Sequence, residues 1–439
     1  MKDDKFFWKY KYEPGKNIEN RTETTEKINP LVSIITSYYN ANDDMDQTIN
    51  CVLNQTFESW EWIVVDDGST KKDAIEYLEK VKKIDNRIKI YHKHNEGLAL
   101  GRDYAIEKTS TKYILPLDAD DLIEPTYIET LYWTLETNPD ATWAFTNSVG
   151  FGKYIYLSDR KFDSEIMKTD NIITATALIR KEKIKELEGY GKAKRYVNED
   201  WHLWLRMLAK GYYPVQVGFY GFWYRRREGS LLSEINDTKK REYELKMKDL
   251  KVEADKIKHK VEAIEYPKEK ISSKIEKTYI ELPENVKILN NEKDSVLYIL
   301  PYLGTDRKMY KMIKEESKNK KIYIVTMQKN QNSEYFYRQK YESFSTVYDL
   351  TTFLDEKYWI SFIQYILDTR KITTIYLSNT IYNNELMKNF NVINIKDCRN
   401  EDIIYRFEIL KYKVSHSLPI RAVKKIGRYV IKISEREEV

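Results

Sequence analysis

Residues 62–70 read WIVVDDGST, a short apolar run that stops at two aspartates, a glycine and two hydroxyl residues. Runs of the same kind stand on either side of it, LVSIIT at 31–36 and YILPL at 113–117. The segments between these runs carry apolar residues at helical spacing, as over 74–81 and 98–106. Strands that alternate with helices through short polar turns predict an α/β fold, in which a mostly parallel sheet is covered on both faces and binds ligands at the carboxyl ends of its strands.

The composition of the whole chain narrows the class of protein. Its 439 residues are enough for two or three domains. The 74 basic and 69 acidic residues leave a net charge of +5, too small an excess to indicate nucleic-acid binding. We find neither an apolar run of the roughly 18 residues that span a membrane nor the apolar stretch of a signal peptide. We therefore expect a cytoplasmic protein.

Changes in composition along the chain predict five segments. A flexible lead-in is followed by a first α/β domain, a Lys/Glu-rich helical linker, a second and smaller Rossmann-like α/β domain, and a basic tail. Their predicted bounds are 1–27, 28–238, 239–290, 291–400 and 401–439.

The tail is the part of the chain that suggests membrane contact. Residues 411–432 contain seven Lys or Arg and no acid, with apolar residues at helical spacing. A basic amphipathic helix suits the anionic inner face of a membrane, which is one interpretation. The other is that the helix packs its apolar stripe on the second domain.

Acidic residues stand where two of the apolar runs end. Asp66 and Asp67 follow one run, and Asp118, Asp120 and Asp121 follow another. Carboxylates buried near a sheet cost several kcal/mol each unless a cation or hydrogen bonds compensate. Mg²⁺ or Mn²⁺ carrying a diphosphate is the natural partner, because these ions prefer oxygen ligands and keep phosphate in their shell. The alternative is that these residues only form turns and cap helices.

Five stretches of the chain together resemble the family 2 inverting glycosyltransferases, which have the GT-A fold. They occur in the family's order over about 30–235, and their number and order make the resemblance specific. The stretches are VSIITSYYN at 32–40, WIVVDDGST at 62–70, HNEGLALGRDYAI at 94–106, YILPLDADDLIEP at 113–125 and NEDWHLWLRMLAKG at 198–211.

The resemblance implies a nucleotide diphosphate sugar as donor, with a UDP-sugar favoured. Asp67 would accept hydrogen bonds from the base, with Thr36 and Tyr39 beside it. Arg102 would reach the nucleotide from the next helix, and Asp118 would lie near the ribose.

The resemblance also implies which residues would contact the diphosphate of the donor. Asp120 would bind the metal, Mg²⁺ or Mn²⁺, that bridges the two phosphates. Arg227 stands where relatives often carry His, and it could pair with phosphate oxygens but could not ligate a metal. Its neighbours Arg225 and Arg226 are equally well explained as an exposed basic turn.

Glu199 and Asp200 open an amphipathic helix, for which two explanations stand side by side. Acidic residues at a helix start are stabilised by the helix dipole. Alternatively, one of these carboxylates removes the proton of the acceptor hydroxyl as that hydroxyl attacks the anomeric carbon. The resemblance favours Asp200 as this catalytic base, with Glu199 as second choice.

Residues 296–395 resemble, more weakly, the N-terminal half of a GT-B glycosyltransferase. A GT-B enzyme binds its donor mainly through the other half, for which too few residues follow, so we expect this domain to be non-catalytic.

The sequence thus predicts the transfer of a single sugar to a glycan, lipid-linked or protein acceptor in cell-envelope synthesis. Polymerisation is disfavoured, because the QxxRW signature and membrane spans of the processive synthases are missing. Two alternatives remain, a non-catalytic scaffold of a glycan assembly complex and a sugar nucleotidyltransferase. The latter would need a Gly-rich basic loop where SYYNANDD stands at 37–44.

Overall fold

The computed structural model describes nine stretches of the chain, which divide between two compact units. The first unit contains the residues up to Pro267, and the second contains most of the residues after it. The described stretches are 12–16, 29–190, 198–227, 247–268, 294–303, 307–328, 334–377, 405–410 and 430–432.

The first unit is built on one ten-stranded sheet. Its strands are β1 (Val32–Tyr38), β2 (Trp60–Asp67), β3 (Ile88–Lys93), β4 (Tyr113–Pro116), β5 (Leu122–Ile123), β6 (Trp143–Gly152), β7 (Tyr156–Ser158), β8 (Leu178–Arg180), β9 (Pro214–Arg226) and β10 (Ile264–Glu265). Their order is β10-β9-β6-β8-β4-β1-β2-β3, with β5 paired to β9 and β7 to β6. Strands β3, β2, β1 and β4 are parallel, whereas β8 is antiparallel to both of its neighbours. The mostly parallel sheet confirms the predicted α/β class.

Helices of the first unit connect these strands and cover the sheet. They are α1 (Asn42–Leu53), α2 (Lys72–Val81), α3 (Leu98–Glu107), α4 (Tyr127–Thr137), α5 (Ser164–Met167), α6 (Lys181–Glu186), α7 (Glu199–Ala209) and α8 (247–254). A Cβ atom at Gly101 would lie 2.3 Å from the Ser37 Oγ atom, so glycine is what lets α3 lie this close to β1. On α7, the Trp204 ring stacks on Trp143 of β6 with 5.3 Å between centroids. Both helices are thus fixed against the sheet.

Residues 12–16 pack against α1, so the prediction of a flexible lead-in over 1–27 is wrong for this stretch. Gln47 Nε2 donates a hydrogen bond to the Pro14 carbonyl at 3.0 Å, and Asn50 Nδ2 donates one to the Gly15 carbonyl at 3.2 Å. Most of the predicted lead-in lies outside the described residues.

The predicted linker over 239–290 also needs correction. Leu250, Ala254 and Ile257 are buried in the core of the first unit, and β10 pairs with β9. The wide spacing of apolar residues in this charged stretch therefore marks the buried face of a packed helix, not a solvated connector. Parts of the predicted linker lie outside the described residues.

The second unit contains a smaller sheet, as predicted. Its strands are β11 (Ser295–Leu300), β12 (Lys321–Thr326), β13 (Thr346–Asp349), β14 (Ile372–Leu377), β15 (Tyr405–Leu410) and β16 (Val430–Lys432), and its helices are α9 (Arg307–Glu316), α10 (Glu334–Glu342) and α11 (Trp359–Thr369). In the order β13-β12-β11-β14-β15-β16, the first four strands are parallel and the last two antiparallel. The second α/β domain is confirmed, while its GT-B resemblance stays a prediction.

Strands β15 and β16 correct the predicted boundary at residue 400, because they extend the second sheet. Val430, which we expected on the basic amphipathic helix, lies in β16. Residues 411–429 lie outside the described residues, and the membrane contact of 411–432 stays a prediction. Across the stretches that the structure describes, we find no helix with the length and apolar character needed to cross a bilayer.

Candidate active site

Arg102 of α3 joins two distant parts of the first unit. Its guanidinium donates one hydrogen bond to Asp118 Oδ1 at 2.7 Å and another to Glu199 Oε1 at 2.6 Å. The residue is 1% exposed, and the Tyr190 ring lies 5.5 Å from its guanidinium carbon. Arg102 therefore ties the loop after β4 to the start of α7. Our prediction that Arg102 reaches the nucleotide stays a prediction.

Asp67, at the end of β2, holds the turn that leads into α3. Its Oδ1 atom accepts a hydrogen bond from the Glu96 backbone N–H at 3.0 Å and pairs with Lys93 Nζ, also at 3.0 Å. Its Oδ2 atom accepts one from the Gly97 N–H at 2.7 Å. The neighbouring Asp66 accepts a hydrogen bond from the turn after β2, as the alternative of turn formation predicts. Recognition of a base by Asp67 stays a prediction.

Thr36 and Tyr39 have different environments, although they were predicted to lie together. The Thr36 hydroxyl donates to the Leu117 carbonyl at 2.6 Å and accepts from Trp62 Nε1 at 2.9 Å. Thr36 is 0% exposed, so its side chain links strands of the sheet, and its place beside the donor stays a prediction. Tyr39 is 49% exposed just beyond β1 and has surface available for a ligand.

The loop after β4 carries three carboxylates within four residues. Those of Asp118 and Asp120 are about one-third exposed. Asp121 is buried, and it accepts a hydrogen bond from the Arg225 backbone N–H at 2.9 Å. Burial raises the pKa of Asp120, and the charge of Asp118 raises it further. For Asp121, burial and then the charge of Asp120 raise the pKa well above its usual range. Burial and the neighbouring carboxylates thus both disfavour the charged forms of Asp120 and Asp121.

Two arginines at the end of β9 reach this acidic loop. Arg225 donates through Nε to the Asp120 carbonyl at 2.7 Å and through Nη2 to Gln47 Oε1 at 2.8 Å. The Arg227 Nη2 atom lies 2.7 Å from Asp120 Oδ2 and 2.9 Å from Asp44 Oδ2. Arg225 is therefore not an exposed turn residue. Sequence analysis missed Asp44 and Gln47, for which the acidic start of α1 was the available signal.

Glu199 and Asp200 differ in what binds them. Glu199 is buried, and its burial raises the pKa to about 7, although the charge of Arg102 opposes this shift. The Asp200 Oδ2 atom accepts a hydrogen bond from Asn171 Nδ2 at 3.0 Å. Burial raises the pKa of Asp200 as well, again against Arg102. Glu199 is thus committed to a buried cation, whereas Asp200 is held by a neutral amide.

The side chains after β4 fit a divalent metal only in part. Among the described residues, no three His, Cys, Asp or Glu side chains form a metal-binding group. The partly exposed carboxylates of Asp118 and Asp120 are nevertheless hard oxygen donors, although each also pairs with an arginine. Mg²⁺ typically takes one or two carboxylates and completes its shell with substrate phosphates and water. The donor set therefore suits an ion that arrives with a diphosphate.

Comparisons with known proteins show the family to which the chain is similar. Residues 33–195 match the family model described as Glycosyl transferase family 2. The protein named "Putative teichuronic acid biosynthesis glycosyltransferase TuaG" from Bacillus subtilis (strain 168) is 31% identical over 192 residues, which cover 42% of this chain and 74% of that protein. An uncharacterized glycosyltransferase from Haemophilus influenzae is 40% identical over 114 residues, 26% of this chain and 35% of that protein.

Among solved structures, the crystal structure of S. aureus TarS 1-349 in complex with UDP-GlcNAc gives a TM-score of 0.42 at 19% identity. The matched region covers 51% of this chain and 66% of that one. The chain thus spans about a third of the Haemophilus influenzae relative and about three quarters of the Bacillus subtilis one.

Proposed function

Because this chain belongs to glycosyltransferase family 2, we propose that it moves a single sugar from a nucleotide diphosphate donor to a hydroxyl group, with inversion at the anomeric carbon. The observation that carries this proposal is the Arg102 bridge, because it brings the loop of Asp118 and Asp120 to the start of α7, where Asp200 lies. The candidate metal ligand and the candidate base thereby belong to one site.

In the proposed reaction, the acceptor hydroxyl attacks the anomeric carbon from the face opposite the diphosphate. A new carbon–oxygen bond forms, and the bond to the donor phosphate oxygen breaks with its electron pair leaving on the diphosphate. Asp200 takes the hydroxyl proton, for which its raised pKa is suited, since a base works best with a pKa near the ambient pH. Glu199 is the second choice, because its carboxylate is already bound by Arg102.

Several other side chains would support the donor. Asp120 would hold Mg²⁺ or Mn²⁺ together with Asp118, and the ion would stabilise the charge on the departing diphosphate. Arg227 would pair with phosphate oxygens, for which its planar guanidinium is suited. Tyr39 would contact the nucleotide through its exposed ring.

The name of the Bacillus subtilis relative leads us to extend the proposal to cell-envelope polysaccharide synthesis. The donor would be a UDP-sugar, and the acceptor a glycan, a lipid-linked intermediate or a protein. A cytoplasmic location with peripheral membrane contact is part of this proposal and rests on the sequence.

The test is Asp120→Ala, assayed by release of UDP from a panel of UDP-sugars with and without Mn²⁺. We expect Mn²⁺-dependent turnover to fall by roughly a hundredfold or more, because a charged group that stabilises the transition state is removed. Asp159→Ala, which removes an exposed aspartate of the same unit, is the control for the loss of a carboxylate. Full Mn²⁺-dependent turnover in Asp120→Ala would exclude the metal assignment. If calorimetry detects no UDP or UDP-sugar binding to the wild type with or without Mn²⁺, the non-catalytic alternative is favoured.

A further inference from the structure

Arg227 is held on the carboxylate that the proposed function assigns to the metal. Its Nη2 atom lies between Asp120 Oδ2, at 2.7 Å, and Asp44 Oδ2, at 2.9 Å. Both carboxylates are about one-third exposed, and the Arg227 side chain is 36% exposed. One guanidinium nitrogen thus pairs with two carboxylates at the edge of the site.

The contacts of Arg227 are few in comparison with those of Arg225. Arg225 is 13% exposed, lies 4.5 Å from the Phe151 ring and contacts Asp44, Gln47 and the Asp120 carbonyl. Arg227 Nε has no hydrogen-bond partner among the described residues, although it is shielded from solvent. Arg225 therefore anchors the end of β9, whereas Arg227 is held by two contacts that water can reach.

A guanidinium on Asp120 opposes a metal ion on the same carboxylate. Both bind through the carboxylate oxygens, and their positive charges repel each other. Like charges this close repel each other near a protein surface, and a dication is repelled more strongly than a single charge. Solvent weakens the repulsion at a partly exposed site, but enough remains to change metal affinity.

Building on the proposed function, we propose that Arg227 competes with the divalent ion for Asp120 and is drawn away by the diphosphate of the donor. In the free protein, Arg227 neutralises Asp120, and the metal binds weakly. When the diphosphate pairs with Arg227, Asp120 becomes available to the ion that the same diphosphate carries. Metal and donor thus favour each other's binding, and by linkage the effect is reciprocal.

The experiment measures binding of Mn²⁺ alone to the full-length protein, by calorimetry or by the electron paramagnetic resonance signal of free Mn²⁺. We expect Arg227→Gln to bind Mn²⁺ about tenfold more tightly than the wild type. Arg226→Gln is the matched control, because it removes the same charge from the neighbouring residue, whose guanidinium carbon lies 5.3 Å from the Tyr224 ring centroid. We expect Arg226→Gln to change Mn²⁺ affinity less than about threefold.

Two further measurements test whether the gain in Mn²⁺ affinity depends on Asp120 and on the diphosphate. Adding Asp120→Asn to Arg227→Gln should remove the gain, because the competition takes place on that carboxylate. The increase in Mn²⁺ affinity caused by UDP should be smaller in Arg227→Gln than in the wild type. The proposal is overturned if Arg227→Gln binds Mn²⁺ no more tightly than the wild type, or if Arg226→Gln gains as much. With wild-type turnover of a UDP-sugar intact, such a result removes the competition and leaves the glycosyltransferase function standing.

Discussion

The two sheets of this chain share an architecture but use their acidic side chains differently. Each has four adjacent parallel strands. In the first, Arg102 connects Asp118 to Glu199, which lies 97 residues after Arg102 in sequence. In the second, Asp349 at the end of β13 accepts hydrogen bonds from the N–H and hydroxyl of Thr351, two residues on. Both sheets thus have parallel strands with acidic residues at their ends. Only in the first sheet do the polar contacts described here join such residues to a distant part of the chain.

The largest expected difference between the sheets is in catalysis. Asp200→Asn should lower transfer to the acceptor by about 10²–10⁴-fold, the usual contribution of a general base. UDP affinity should stay within about twofold, because the amide keeps the shape of the carboxylate. Steady-state assays with calorimetry of UDP binding check this result. Glu199→Gln is the comparison. If it loses more transfer activity than Asp200→Asn does, the catalytic base is Glu199 and not Asp200.

The Arg102 bridge should dominate the stability of the first unit. Arg102→Met leaves the buried Glu199 and the partly exposed Asp118 without their cation, so we expect the free energy of unfolding to fall by about 3–5 kcal/mol. Arg102 lowers the pKa of Glu199, which burial has raised to about 7, so its removal raises that pKa further. A carboxyl group whose pKa is raised in the folded state favours folding as pH falls, and the variant should regain stability between about pH 8 and about pH 6.

Urea denaturation followed by tryptophan fluorescence measures this change. Adding Glu199→Gln to Arg102→Met is the control, because the double variant has no carboxyl group at residue 199 and should show less of the pH-dependent recovery. An Arg102→Met protein as stable as the wild type at about pH 8 would mean that solvent, not Arg102, neutralises these acids.

The smallest effect is expected in the second sheet. Asp349→Ala removes the hydrogen-bond acceptor at the start of a short helical turn, and the free energy of unfolding should fall by about 1 kcal/mol. Turnover of the UDP-sugar should remain within about twofold, because the residue serves its own turn. The same denaturation and UDP-release assays apply. A hundredfold loss of turnover would show that the second sheet takes part in catalysis, and would contradict the difference between the two sheets that is described above.

Those features of the fold and of the site that depend on the local pattern of residues could be predicted from the sequence. The alternation of apolar runs with helical segments predicted both sheets, and the acidic residues after β4 were predicted at the strand end where they lie. Thr36 illustrates what local pattern does not contain, because its hydroxyl is used by Leu117 and Trp62, residues far from it in sequence. Arg102 was selected as a site residue, but its partners could not be predicted, because they depend on how α3 and α7 meet the sheet.

The short segment 12–16 lies outside the sheet but contacts a side chain that binds Arg225. Gln47 donates to the Pro14 carbonyl with its amide nitrogen, and its amide oxygen accepts from Arg225. A shortened protein that starts at residue 29 would keep every strand of the first sheet and yet lose one of the two contacts that orient this glutamine. Pro14 is thus two hydrogen bonds away from Arg225, which contacts the acidic loop of the site.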